Sequence, residues 1–292
     1  MKAGTILKGI GGFYYVAVGN EVFRCKARGR FRNLGITPMV GDHVQIEPGI
    51  GSSEGSVEEI KPRKNVLIRP AVANIDYLAV VIAAASPNPD LLLVDKLLIA
   101  AEMNNIKPLL IFNKIDLVSK EKLNILIDEY RPTGYSIFCV SSKIGLGMDE
   151  LSRGLDGITT LAGQSGVGKS SIINKLNPSL NLETGIISEK LKRGKHTTRH
   201  IELLILPYGG MIVDTPGFSQ MEVLELDTAA LSYNYPEFQP FVSQCRFNGC
   251  THSHEPQCAI RKSVEDGSIP KGRYDRYIKL LNDIAENRRN IW

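Results

Sequence analysis

Apolar and polar positions follow three different rhythms along this chain. From residue 1 to about 65 the apolar runs are short, with no helical period. Phe13–Val18 and Glu21–Ala27 are rich in β-branched and aromatic residues and meet at Gly19-Asn20, a hairpin turn signal. Val40–Ile46 and Ser56–Ile60 continue the pattern. Short strands joined by glycine turns predict a small barrel, an OB-fold. Lys61-Pro62-Arg63-Lys64-Asn65 reads as a basic linker. From 66 to 222 strands and helices alternate. Ile75–Ala84, Lys107–Phe112, Tyr135–Val140 and Ile158–Leu161 read as strands. Between them lie helices over Leu91–Asn105 (capped by Asp90), Ser119–Tyr130 and Met148–Leu155, with another over Ser170–Leu176. This alternation predicts a parallel, helix-covered sheet. Ile201–Leu206 and Met211–Val213 follow, joined by a turn at Pro207–Gly210. Residues 223–292 read as mostly helical. Near their end Tyr274, Tyr277, Ile278, Leu281, Ile284 and Ala285 form one apolar stripe, the period of a packed helix.

Composition narrows the class. The chain has 292 residues, room for two or three domains; 43% are hydrophobic and 23% charged, as in ordinary globular proteins. The longest apolar run, Leu78–Ala85, is strand-sized, so no membrane span is expected. Met1-Lys2-Ala3-Gly4 opens no apolar signal region, and a cytoplasmic location is expected. Net charge is +4, unevenly spread: residues 1–70 carry eleven Lys/Arg against six Asp/Glu, residues 71–220 fifteen of each, residues 261–292 eight against five. Basic ends around a neutral centre suit two modules that touch nucleic acid. Arg24, Lys26, Arg28, Arg30 and Arg32 recur at every second position beside Phe23 and Phe31. On an extended segment they share one face, which fits an RNA-binding surface, the preferred reading, with a strand edge guarded by charge as the alternative.

The candidate chemistry centres on Gly163-Gln164-Ser165-Gly166-Val167-Gly168-Lys169-Ser170-Ser171, a GxxxxGKS phosphate-binding loop between a strand and a helix. Its backbone N–H groups would cradle phosphate oxygens, Lys169 would reach the β- and γ-phosphates, and Ser170 would offer its hydroxyl to Mg2+. Asn113-Lys114-Ile115-Asp116 ends a strand and matches NKxD. The Asp116 carboxylate can accept from both N1–H and the exocyclic amine of guanine, a donor pair that adenine lacks. Asn113 and Lys114 would brace the base and the phosphate loop. Ser141-Ser142-Lys143 ends the next strand and is similar to the SAK element, whose backbone N–H meets the guanine oxygen. Asn177–Gly194 reads as a long functional loop running into Lys195-His196-Thr197-Thr198-Arg199-His200. One threonine there completes the magnesium shell; Thr198 is preferred, with Thr197 the alternative. Asp214-Thr215-Pro216-Gly217 matches DxxG, in which Asp214 holds magnesium through water and the Gly217 N–H senses the γ-phosphate. The next residue is Phe218, where many GTPases place a water-orienting glutamine. His196 can hydrogen-bond water and is the candidate catalytic group.

The order of these elements is permuted: NKxD precedes the phosphate loop, which precedes DxxG. The chain leaving DxxG therefore runs straight into the C-terminal region, on which a moving switch can pull. That region holds three of the five cysteines: Cys245, Cys250 and Cys258, beside His252 and His254. Three thiols and one imidazole make a closed tetrahedral zinc set, and spacing alone does not choose between the histidines.

Together, NKID, GQSGVGKSS, GKHTT, DTPGF and the C-terminal Cys/His cluster, in this order behind an OB-like barrel, resemble the ribosome small subunit-dependent GTPase A family. The resemblance spans essentially the whole chain. It implies an α/β P-loop GTPase domain in circularly permuted order (66–222). An N-terminal OB-like RNA-binding barrel (1–65) and a C-terminal zinc-binding, mostly helical domain (223–292) flank it. It implies GTP hydrolysis stimulated by the small (30S) ribosomal subunit during late maturation, with 16S-type rRNA as contact and GTP/GDP with Mg2+ as ligands. It puts one structural Zn2+ on Cys245, Cys250, His252 and Cys258, makes His196 a proposed catalytic residue, and leads us to expect a monomer. Two other readings compete: an RNA-binding assembly chaperone that uses GTP as a ligand, and a P-loop kinase of a small metabolite.

Overall fold

The computed structural model describes residues 1–49, 53–67, 71–178, 201–214 and 228–290. His196, Thr197, Thr198, Gly217 and Phe218, and all but the start of the Asn177–Gly194 loop, lie outside the described residues.

Five strands close the N-terminal barrel: β1 (Lys2–Ile10), β2 (Phe13–Val18), β3 (Glu21–Ala27), β4 (His43–Glu47) and β5 (Gly55–Ile60). They run in the order β1-β2-β3-β5-β4, β4 closes back on β1, and β3 and β5 are parallel. This is the OB-type barrel that the strand pattern predicts. Its core is Ile6, Val16, Cys25, Phe31, Val44, Ile46 and Val57. β1 has no counterpart in the sequence reading. A bulge between Ile6 and Lys8 explains its weak alternation: Ile6 faces the barrel core, while its neighbour Leu7 packs into the next domain.

The run of alternating basic residues does not share one extended face. β3 stops at Ala27, and Gly29–Asn33 form a short helix, α1, that plugs the barrel with buried Phe31. Arg24 and Lys26 stay on β3. Arg28 turns away into ion pairs with Glu58 (2.7 Å) and Glu47 (3.8 Å), and Arg30 and Arg32 belong to the helix. Burying Phe31 outweighs the period-two pattern of the charges.

The segment 61–65 is not a loose tether. Arg63 is paired with fully buried Asp42 through Nε (2.6 Å) and Nη2 (2.8 Å), and the Asn65 side chain brackets Ile75, donating to its carbonyl and accepting from its N–H. Gly41 sits at φ 89° with the Ala73 carbonyl where a Cβ would stand, 2.1 Å away, so barrel and domain meet backbone to backbone. β6 (Val66–Leu67) and β7 (Val72–Ala73) form a small hairpin at this junction.

The central domain contains β8 (Tyr77–Ala83), α2 (Leu91–Met103), β9 (Lys107–Asn113), α3 (Lys120–Asp128), β10 (Ser136–Cys139), α4 (Met148–Gly154), β11 (Ile158–Ala162), α5 (Lys169–Leu176), β12 (Glu202–Ile205) and β13 (Met211–Asp214). Its sheet order is β10-β9-β8-β11-β13-β12, parallel except for β12. β8 shows why these strands read as continuous apolar runs. Leu78, Val80 and Ile82 pack on the α2 side and Ala79, Val81 and Ala83 on the α4–α5 side. β12 pairs with barrel strand β1 through Lys8 and Glu202, so the barrel continues the sheet.

The C-terminal part comprises α6 (Thr228–Leu231), α7 (Gln239–Val242), α8 (Ala259–Glu265) and α9 (Lys271–Asn290). Tyr277, Leu281 and Ile284 of the expected stripe are buried with Leu280, Tyr235 and Phe238. Ile99 and Ala100 of α2 belong to the same cluster, while Val94, Leu97 and Leu98 face the sheet. α2 is apolar on both sides because it is covered on both.

Candidate functional site

The phosphate loop spans the end of β11 and the start of α5, whose N-cap is Gly168 at φ 100°. A Cβ on Gly168 would stand 2.3 Å from Asn113 Nδ2, so only glycine leaves room for that side chain. Asn113, at the end of β9, is fully buried. Its Nδ2 donates to the Val167 carbonyl (2.9 Å), and its Oδ1 accepts from the Ser142 N–H (3.1 Å). One amide thus ties the phosphate loop to the segment after β10. Lys114 has φ 63°, and its ammonium donates to the carbonyls of Gly166 (2.7 Å) and Ser86 (2.5 Å). Asp116 lies on the 3₁₀ turn Ile115–Leu117 and is exposed. Ser141 is fully buried, its N–H donating to the Leu146 carbonyl, whereas Lys143 is exposed.

Lys169 is half-buried, and its ammonium donates to the carbonyls of Gly163 (2.7 Å) and Gln164 (3.0 Å). Burial holds its pKa below the ordinary lysine value, so an anion brought to it restores the charged form's advantage. Ser165, Gly166 and Ser170 are surface positions, Val167 anchors the loop in the core, and Ser171 follows on α5. Asp214 closes β13 and registers opposite Glu202. β8, β9, β11 and β13 are parallel, so the ends carrying Asn113, the phosphate loop and Asp214 fall along one edge of the sheet. A cavity of about 380 Å³ bounded by Glu102, Lys107, Pro108 and Tyr135 lies at the opposite end of β9 and takes no part in this constellation.

A second constellation joins Cys245, Cys250, His252 and Cys258, whose ligand atoms all lie within 4.8 Å of one another. His252 Nδ1 is 3.5 Å from Cys245 Sγ and 3.4 Å from Cys258 Sγ, and the two sulfurs are 3.9 Å apart. Metal–sulfur bonds of about 2.3 Å and a metal–nitrogen bond of about 2.0 Å give tetrahedral edges of about 3.5 and 3.8 Å. The three distances among Cys245, His252 and Cys258 match the edges around one tetrahedral ion, and Cys250 Sγ lies within 4.8 Å of each of them. His254 is exposed and bonds the Ser253 hydroxyl (2.8 Å), so geometry selects His252. The loop holding it is braced from α9: Tyr274 donates to the His252 carbonyl (2.7 Å) and Tyr277 to that of Thr251 (2.8 Å). Burial pushes the Cys250 thiol up to about 12, raises Cys258, and keeps the His252 imidazole in its neutral, ligating form. Thiolates at this spot need a bound cation.

One functional-looking cluster left no trace in the sequence. Fully buried Asp95 of α2 forms an ion pair with Arg273 Nη1 (2.7 Å) and accepts hydrogen bonds from Arg276 Nε (2.6 Å) and the Tyr130 hydroxyl (2.9 Å). Arg273 also meets buried Glu237 (2.7 Å), and Arg276 meets Glu129 (3.0 Å). These charges fasten α9 to the central domain. No regular spacing announces them, because the partners are 178 and 181 positions apart in Asp95–Arg273 and Asp95–Arg276.

Residues 60–224 match the family model described as RsgA GTPase, and residues 3–57 match the RsgA N-terminal domain. The chain belongs to the RsgA GTPase family. Relatives named small ribosomal subunit biogenesis GTPase RsgA include one from Ruminiclostridium cellulolyticum, 48% identical, covering 98% of this chain and 96% of the relative. Another, from Clostridium botulinum strain 657, is 45% identical over 99% of both chains. Among solved structures, YloQ, described as a circularly permuted GTPase, superposes with a TM-score of 0.81 at 35% identity, covering 98% of this chain and 96% of that one. YjeQ from Thermotoga maritima gives 0.84 at 34% identity, over 97% and 98%. The RsgA fold is thus a permuted GTPase, as the order of NKxD, phosphate loop and DxxG implies. RsgA membership favours neither the metabolite kinase nor the ligand-gated chaperone. No helix among the described residues is long and apolar enough to cross a membrane.

Proposed function

We propose that this protein is a GTP-hydrolysing factor that binds the small (30S) ribosomal subunit and acts late in its maturation. The observation that carries the reading is the double hydrogen bond of Asn113, which joins the phosphate loop to the NKxD and Ser141-Ser142-Lys143 segments. A phosphate cradle and a guanine reader held in one rigid unit are what GTP selection requires. In this reading the N–H groups of residues 163–171 hold the phosphates, with Lys169 charged against them. Asp116 takes the two guanine donors, and the backbone of 141–143 meets the guanine oxygen. Ser170 and Thr198, with Thr197 the alternative, ligate Mg2+, Asp214 holds it through water, and the Gly217 N–H senses the γ-phosphate. His196 orients the attacking water in place of the glutamine that Phe218 replaces.

The Cys245, Cys250, His252 and Cys258 cluster holds one structural Zn2+, which supplies folding energy and no open coordination position. The barrel and the C-terminal unit bind 16S-type rRNA. The protein acts as a monomer in the cytoplasm, with three functional units at 1–65, 66–222 and 223–292. The test is multiple-turnover GTP hydrolysis by the protein alone and with small subunits, large subunits or free RNA. Stimulation confined to small subunits is expected; equal turnover in every arm would contradict the reading.

A further inference from the structure

The turn that carries His252 is organised by one carboxylate, that of half-buried Glu255. Glu255 Oε1 accepts from the Thr251 N–H (2.7 Å) and the Thr251 hydroxyl (2.6 Å). Its Oε2 accepts from the N–H groups of Ser253 (3.1 Å) and His254 (3.2 Å). The N–H between them, on His252, is the backbone group that hydrogen-bonds the Cys250 sulfur. The carbonyls of Thr251 and His252 are taken by the Tyr277 and Tyr274 hydroxyls of α9. The turn is therefore held on one side by Glu255 and on the other by α9.

His252 needs such a frame for two reasons. Its φ is 61°, in the left-handed region, where a residue with a Cβ stays only if its surroundings hold it there. Its imidazole also lacks the usual outer partner. A metal-bound histidine ordinarily gives its second ring N–H to a carboxylate, a carbonyl or water, which fixes tautomer and ring orientation. Here Nδ1 faces the sulfurs of Cys245 and Cys258, and buried Nε2 has no hydrogen-bond partner among the described residues. The ring packs edge-on against Phe238, with centroids 6.3 Å apart and planes at 82°. An apolar wall does not tell one ring nitrogen from the other, so the aim of Nδ1 is set by where the backbone places the residue.

Resting on the zinc reading above, we propose that Glu255 is the positioning residue of the metal site. It acts on the peptide groups flanking His252 rather than on the imidazole, and it holds the left-handed turn in which Nδ1 meets the three sulfurs. Both of its oxygens are engaged by N–H and O–H donors of the turn, and it stands outside the gathered ligand set of Cys245, Cys250, His252 and Cys258. The carboxylate that elsewhere backs a histidine ligand directly is here moved onto the backbone.

The test starts from the zinc-loaded, full-length protein and measures zinc affinity by competition with a chromogenic chelator. Glu255→Ala should weaken zinc about 10- to 100-fold, the usual loss for an outer-layer partner. Glu255→Gln keeps the length and one acceptor oxygen, and should fall between Ala and wild type. His254→Ala, at the exposed neighbour, should match wild type. A spectrum separates positioning from stability: with cobalt in place of zinc, Glu255→Ala should shift the visible bands towards those of His252→Ala, because the ligand it loosens is the imidazole. If Glu255→Ala is not recovered folded, Glu255→Gln is read by the same two measurements. Wild-type affinity in either Glu255 variant would overturn the proposal, as would an equal loss in His254→Ala. Weakened zinc with an unchanged cobalt spectrum would also overturn it, leaving Glu255 a residue of stability alone. The wild-type protein keeps the two readings apart. If it holds neither zinc nor cobalt, the zinc reading fails; if it holds both and the variants match it, only the role of Glu255 fails.

Discussion

Asn113 shows how much one side chain can organise. Its amide joins the phosphate loop to the Ser142 backbone, and it fits only because Gly168 has no Cβ. Gly168→Ala should therefore abolish nucleotide binding, measured by fluorescent GTP-analogue titration. Its stability cost, read by chemical denaturation, should shrink in an Asn113→Ala background, because part of the clash is with that side chain. Asp116→Asn keeps the shape but removes the acceptor pair. It should weaken GTP by at least about ten-fold, since a hydrogen bond to a charged group is worth about 1.5–3 kcal/mol, and shift preference towards xanthosine triphosphate. Unchanged GTP affinity would remove Asp116 from the base-reading role. At this scale the NKxD and phosphate-loop segments were legible because each motif sits where an apolar run ends. That Asn113 also holds Ser142 was not legible, since it depends on β9 and β10 being neighbours.

At the scale of elements, periodicity read the central domain well and the barrel less well. Fully buried strands such as β8 announce themselves as unbroken apolar runs. β1 did not, because its bulge sends Ile6 and Leu7 into two different cores. The arginine run was misjudged for a related reason: its spacing is that of a strand, but Phe31 has a barrel to fill. The metal cluster was legible from residue types alone; spacing left His252 and His254 open, the family resemblance chose His252, and the structure gathers His252 with the three cysteines. Two predictions belong here. Cys245→Ser or Cys258→Ser, or prolonged chelation, should release about one zinc ion per chain by elemental analysis and unfold the C-terminal helices by circular dichroism. A native protein without metal would refute the site. Asp95→Asn should cost about 3–5 kcal/mol in denaturant unfolding, because it removes the carboxylate shared by buried Arg273 and partly buried Arg276 and leaves each with a single acidic partner, while leaving nucleotide affinity near wild type. A cost under about 1 kcal/mol would mean that the latch is solvated and unimportant.

For the molecule as a whole, the parts are fastened at places where the sequence suggests freedom. Arg63 and Asn65 dock the segment between barrel and sheet, so bonds after Arg63 and Lys64 should resist trypsin in the native protein. Asp42→Asn, which removes the charge buried under Arg63, should open them to cleavage. The C-terminal unit is likewise clamped to α2 by Asp95, Arg273 and Arg276. A pull from the DxxG end would have to work against that clamp, so the permuted order by itself does not let the unit swing. Barrel, sheet and C-terminal unit are instead fastened to one another by Arg63–Asp42, Lys8–Glu202 and Arg273–Asp95, a single frame around the phosphate loop. The most direct measurement is GTP turnover with small subunits, large subunits, free RNA or nothing added. The account predicts slow turnover alone and strong stimulation by small subunits only. Stimulation by none of them, with GTP still bound, would contradict it.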